Sequence, residues 1–199
     1  MIGESDFYRR HPLTTAMFVL CLALYPFILL SIVLWGIDTV AYWFIFSPGL
    51  TPEPSWILSL FAHVSPAHLF VNVGALLLLG SYLEERIPRT HLFLVFIATG
   101  LGSGLLHANL TGTTGAGASG AILGWGGLYS VYFLSREWTG EATDRWEAFR
   151  FAIAVALPFA VAAEFVLGSL TGLTTANHAH LWGMVLGLLI GWPYLRWIQ

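Results

Sequence analysis

A chain of 199 residues that is 57% hydrophobic and only 10% charged is too apolar for an ordinary soluble domain, and a bilayer is the solvent such a composition fits. Its net charge of −3, with no basic run, excludes the electrostatic footprint of a nucleic-acid-binding protein. The single cysteine, Cys21, allows neither a disulfide framework nor a cysteine metal site, and no metal or cofactor is expected.

Arg9 and Arg10 precede an apolar run from Leu13 to Trp35. That run exceeds the roughly 20 residues a bilayer requires and is too long for a signal-peptide core, so it reads as a retained signal anchor. Further spans are expected at 66–84, 90–108, 117–135, 149–168 and 177–197, which with 13–36 makes six. The predicted fold is all-α: a polytopic bundle with a cytoplasmic N-terminal segment at 1–12 and a single membrane domain at 13–199. Positive charge near span ends stays on the cytoplasmic side, so the arginines set the orientation. All eight cations are arginines, at 9, 10, 86, 89, 136, 145, 150 and 196, and all fall on one side of the expected spans. The loops at about 37–65, 109–116 and 169–176 carry no basic residue, which makes them external and both termini cytoplasmic. The first of these loops is long and aromatic, with Tyr42, Trp43, Phe44, Phe46 and Trp56 broken by Pro48, Pro52 and Pro54. Such a segment suits the headgroup region.

Polar side chains inside hydrocarbon are costly and usually mark a functional path. Span two opens with His68 and Asn72, four apart and so on one helix face. Span four opens with Gly117, Ala118, Ser119 and Gly120, and span six with Asn177, His178, Ala179 and His180. These three spans run in the same direction, so their first turns share one depth below the outer surface. A serine there becomes a nucleophile when a base takes its proton, and His180 is the candidate base for Ser119. The Ser119 amide, at a helix start, and the side chains of His68 and Asn72 are candidate donors to an oxyanion. Gly117 and Gly120 leave room for a substrate backbone beside the serine. Gly183, Gly187 and Gly191 recur every four residues, a small-residue stripe that lets span six approach span four. Ser103 is expected to bond back to its own turn, and His178 to face the surface or make a minor contact. His63 and His107 carry no assigned role. Glu164, within span five, needs a partner there and reads as structural, either a buried hydrogen-bond acceptor or a group near the outer water.

Three segments together, His68-Leu-Phe-Val-Asn72, Gly117-Ala-Ser119-Gly120 and Ala179-His180-Leu-Trp-Gly183-Met-Val-Leu-Gly187, resemble the rhomboid family of intramembrane proteases. The resemblance covers about residues 56–192. It implies a Ser119–His180 dyad, an oxyanion site of His68, Asn72 and the Ser119 amide, structural roles for Glu84 and Arg86, and substrates that are single-span proteins of the cell membrane. A small residue before the scissile bond and a locally unwound substrate helix also follow from it. Two features depart from the family pattern: Leu123 stands where many members have an aromatic residue stacking on the histidine, and the first external loop has no arginine. With no membrane aspartate to serve as a third member, Trp125 or Trp182 is the candidate for holding the His180 ring. A catalytically silent rhomboid-like escort of membrane clients is the alternative. A small transporter is disfavoured, because its ionisable groups belong near the bilayer midplane.

Overall fold

Turn chemistry marks where the long helices begin and end. Pro12 opens α2 (Pro12–Trp35), and Ser65, accepting from the His68 amide with Pro66 at the first position, opens α5 (Pro66–Glu84). Pro88 precedes α6 (Arg89–Thr111), which closes on Gly112 at a left-handed φ of 69°. Asp144 caps the amides of Trp146 and Glu147 at the start of α8 (Arg145–Thr171), which closes on Gly172 at φ 66°. Short helices α1 (Glu4–Arg10), α3 (Ile37–Phe44) and α4 (Ser55–Leu58) precede α5, and α7 (Ser119–Tyr132) and α9 (Asn177–Trp197) complete the chain. This computed structural model describes residues 4–63, 65–172 and 176–197. Parts of the expected segment 1–12 and of the loop at 169–176, and the domain's last two residues, lie outside the described residues.

The described residues are helical with no strand, and an isolated antiparallel bridge joins Phe46 to Gly115. Four helices, α2, α5, α6 and α8, are long and apolar enough to cross a membrane. The expected spans at 117–135 and 177–197 correspond to α7 and α9, which do not meet that measure. The reason for α7 is its position. It runs 14 residues before a π-helical turn at Phe133–Glu137, and ten of them, from Gly120 to Ser130, are buried on all sides. A helix wrapped by protein has no lipid to match, so small residues serve it better than long apolar ones. In α9, the first turn is spent on Asn177, His178 and His180.

The centre of the bundle is the contact of α7 with α9. A Cβ on Gly183 would strike the Gly120 carbonyl, and one on Gly187 the Gly124 carbonyl, so the two backbones meet directly. On its other side α7 presses against α6: a Cβ on Gly124 would strike Thr99, and Trp125, fully buried, donates its indole N–H to the Leu92 carbonyl at 3.0 Å. By contrast, the buried residues of α8 are Glu147, Ala154, Val161 and Gly168, a single stripe spaced by seven. Its Phe159, Val166, Leu167 and Leu170 are exposed.

Polar contacts fix the end of the bundle opposite Ser119. The buried Glu84 carboxylate accepts from the Leu13 and Thr14 amides at 2.9 Å and from the Thr14 hydroxyl at 2.8 Å, capping α2 from another helix, and Arg89 donates to it at 3.0 Å. Arg86 donates to Glu137 at 2.6 Å and lies over the Tyr82 ring, whose hydroxyl also donates to Glu137. Burial opposes ionisation of the Glu137 carboxyl, yet the bonds from Arg86 and Tyr82 hold it below the ordinary carboxylate range.

Candidate active site

The first turns of α5, α7 and α9 meet at one end of the bundle, around a cavity of about 410 Å³. Ser119, His180, His68, Gly117 and Gly120 all line it, and His107 and Phe46 close parts of the wall. Two loops hold the cavity in shape. Phe46 and Gly115 exchange backbone hydrogen bonds at 2.7 and 3.0 Å, and the Gly117 amide donates to the Ser59 carbonyl at 2.8 Å. Phe46 is buried and stacks on Trp56 with ring centroids 5.5 Å apart. The aromatic loop that follows α3 is thus pinned onto the segment that leads into Ser119.

Local conformation accounts for the glycines. Gly117 has φ 132°, which an L side chain rarely adopts, and a Cβ there would lie 2.5 Å from the His68 ring. Gly120 sits against the Ser103 side chain, and Ser103 donates back to the Gly100 carbonyl at 3.0 Å, as a serine in an apolar helix commonly does. Ala118 offers α7 no side-chain cap, so the first amides of that helix are left to other acceptors.

His180 is partly buried, and its two ring nitrogens have different surroundings. Nδ1 lies 2.8 and 2.9 Å from the two carboxylate oxygens of Glu164 on α8, while Nε2 has no hydrogen-bond partner among the described residues. Glu164, expected from sequence as a structural acceptor, has the His180 ring as its partner. Neither tryptophan holds the ring by hydrogen bonding: the Trp125 N–H is committed to Leu92, and the Trp182 N–H is buried and unpartnered. No hydrogen bond joins the Ser119 hydroxyl to His180 in this structure. Catalytic pairs commonly close only around substrate.

Asn72 is buried, its amide donates to the His68 carbonyl at 2.9 Å, and it does not line the cavity among the described residues. His63, which carried no role in the sequence reading, sets its ring edge against His68 with centroids 5.2 Å apart. Burial, with His68 beside it, pushes the His63 imidazole down to about 4, against the opposing pull of the Phe61 carbonyl 3.1 Å from Nδ1. A neutral His63 is therefore the neighbour His68 meets near neutral pH. His107 is also buried, lining the cavity with Nε2 3.1 Å from the Thr113 hydroxyl. His178 is partly buried, with its ring edge-on to Phe165 at 5.0 Å.

A family model described as the Rhomboid domain matches residues 54–197. Over 186 residues the chain is 30% identical to "Rhomboid protease GlpG" of Serratia proteamaculans, a match covering 92% of this chain and 62% of that protein. It is 27% identical over 183 residues to the protein of the same name from Yersinia pestis (strain Pestoides F), covering 90% and 61%. It is 31% identical over 144 residues to "RHOMBOID-like protein 4" of Arabidopsis thaliana, covering 69% and 34%. The chain belongs to the rhomboid family, and with its apolar helices it is an integral membrane protein. It spans about three fifths of the length of these two bacterial relatives.

Proposed function

We propose that this chain is an intramembrane serine endopeptidase that hydrolyses peptide bonds in or near the transmembrane helix of single-span proteins. The reading rests on one observation above others: Ser119, His180 and His68 share a cavity, and Nε2 of His180 has no hydrogen-bond partner among the described residues. Six spans cross the cell membrane in this reading, α7 and α9 as inner ones, with both termini cytoplasmic and the cavity opening outside. The arginine distribution supports that orientation.

The chemistry is acyl transfer. As Ser119 Oγ bonds to the substrate carbonyl carbon, its proton passes to His180 Nε2. The oxyanion accepts from the Ser119 amide at the uncapped start of α7 and from the His68 ring. Asn72 joins by turning its side chain from the His68 carbonyl. Collapse breaks the C–N bond and returns the proton to the leaving amine, and water then repeats the cycle on the acyl-enzyme. The resemblance of the chain to proteins named proteases supports the activity, and the presence of both Ser119 and His180 speaks against a silent escort.

The test is cleavage of a single-span reporter in liposomes by wild type, Ser119→Ala and His180→Ala, with fluorophosphonate labelling alongside. Cleavage and labelling by wild type alone are expected. Equal cleavage by all three proteins would reject the assignment.

A further inference from the structure

Building on that reading, we infer that Glu164 is a positioning residue for His180, making the reactive unit a Ser119–His180–Glu164 relay carried on three different helices. Both carboxylate oxygens of Glu164 lie within 2.9 Å of His180 Nδ1. A carboxylate accepts and does not donate, so the ring proton resides on Nδ1. Nε2 is left as a lone pair with no hydrogen-bond partner among the described residues, the form a general base needs. A neutral acceptor would hold the ring as well in the ground state. A carboxylate also stabilises the imidazolium that forms once Nε2 has taken the Ser119 proton, and that is a transition-state contribution.

The fold brings this about deliberately at one place. Glu164 lies three residues after Val161 and four before Gly168, on the face of α8 that carries its single buried stripe. Glu164 and His180 stand eight residues on either side of Gly172, so an antiparallel helical hairpin brings them to the same depth. Two neighbouring contacts secure the same turn: the Asn177 amide donates to the Phe165 carbonyl at 3.4 Å, and the His178 ring meets the Phe165 ring edge-on. Glu164 has no hydrogen-bond or ion-pair partner besides His180 among the described residues. An intramembrane carboxylate with this one contact is costly to keep unless the contact has a use.

The proton count is unchanged by the carboxylate. The Ser119 proton moves to Nε2 as the Oγ–C bond forms and leaves with the amine as the C–N bond breaks, while the Nδ1 proton stays in place throughout.

The experiment compares wild type, Glu164→Gln and Glu164→Asp in liposomes with the single-span reporter, measuring kcat, KM and the thermal midpoint. The amide of Gln can donate to Nδ1, which transfers the ring proton to Nε2 and removes the base. Glu164→Gln is expected to lower kcat at least about 100-fold with KM unchanged within about twofold and the midpoint unchanged. Glu164→Asp, which keeps a carboxylate, should regain at least about a tenth of the wild-type kcat. Wild-type kcat in Glu164→Gln overturns the inference, and so does a kcat loss that tracks a fall in the midpoint in both variants, which marks a structural brace. Wild type that neither cleaves nor takes a fluorophosphonate label defeats the underlying protease reading, and the inference falls with it.

Discussion

α9 is held from two sides by contacts of different kinds. Toward α7 it presents Gly183 and Gly187, where backbone meets backbone and not even a methyl group fits. Toward α8 it presents Asn177, His178 and His180, which meet Phe165 and Glu164 through side chains within its first turn. The glycine seam fixes how far α9 stands from α7 and at what height, which sets the separation of the two backbones that carry Ser119 and His180. The polar seam sets only how an imidazole is turned. A distance between helices needs close packing along their length, whereas a ring orientation needs one directional bond.

The comparison breaks most visibly at the glycines. Gly183→Val forces a branched side chain onto the Gly120 carbonyl and is expected to cost more than about 4 kcal/mol, seen as loss of a cooperative thermal transition in detergent micelles. Gly191→Ala is its control: the added methyl meets Leu128 and Val131 side chains at 3.3 Å, and a shift within about 0.5 kcal/mol is expected. If the two variants melt alike, the close approach of α7 and α9 is not what holds the bundle.

A smaller effect belongs to the loop wall, outside both seams. The His63 imidazole is pushed from its ordinary 6.5 down to about 4, chiefly by burial. Below pH 6.5 the unfolded chain takes up a proton that the folded chain refuses until about 4, so stability falls as pH drops through that window, by roughly 3 kcal/mol. Denaturation followed from pH 7 to 4 should show this slope, and His63→Leu should flatten it. A variant with the wild-type slope would assign the acid sensitivity elsewhere.

The smallest change sharpens the polar seam. Asn177→Ala removes the bond to the Phe165 carbonyl and is expected to cost about 1 kcal/mol in thermal denaturation, with the glycine seam intact. A loss as large as that of Gly183→Val would mean that the two seams are not separable.

The glycine stripe and the three polar clusters are legible in the sequence because each lies within one short segment. Glu164 was harder to read, since a carboxylate judged on its own helix has no partner in view. The signal existed in the equal spacing of Glu164 and His180 about Gly172, which matters only once two helices are considered as a hairpin. The amide of Asn72 depends on a side-chain torsion that spacing does not encode. The pairing of Phe46 with Gly115 joins segments far apart in the chain, where local pattern carries no information. The short α-helical length of α7 reflects its enclosure by other helices, a property of the assembled bundle.

The capping of α2 by Glu84 has a consequence for the order of assembly. α2 leaves the ribosome before α5, and its Leu13 and Thr14 amides have no acceptor from their own side-chain cap. Their acceptor is synthesised about seventy residues later, at the far end of another helix. α2 therefore acquires its final register only when α5 arrives, and a nascent chain arrested before residue 84 would carry α2 with the amides of its starting turn still lacking their acceptor.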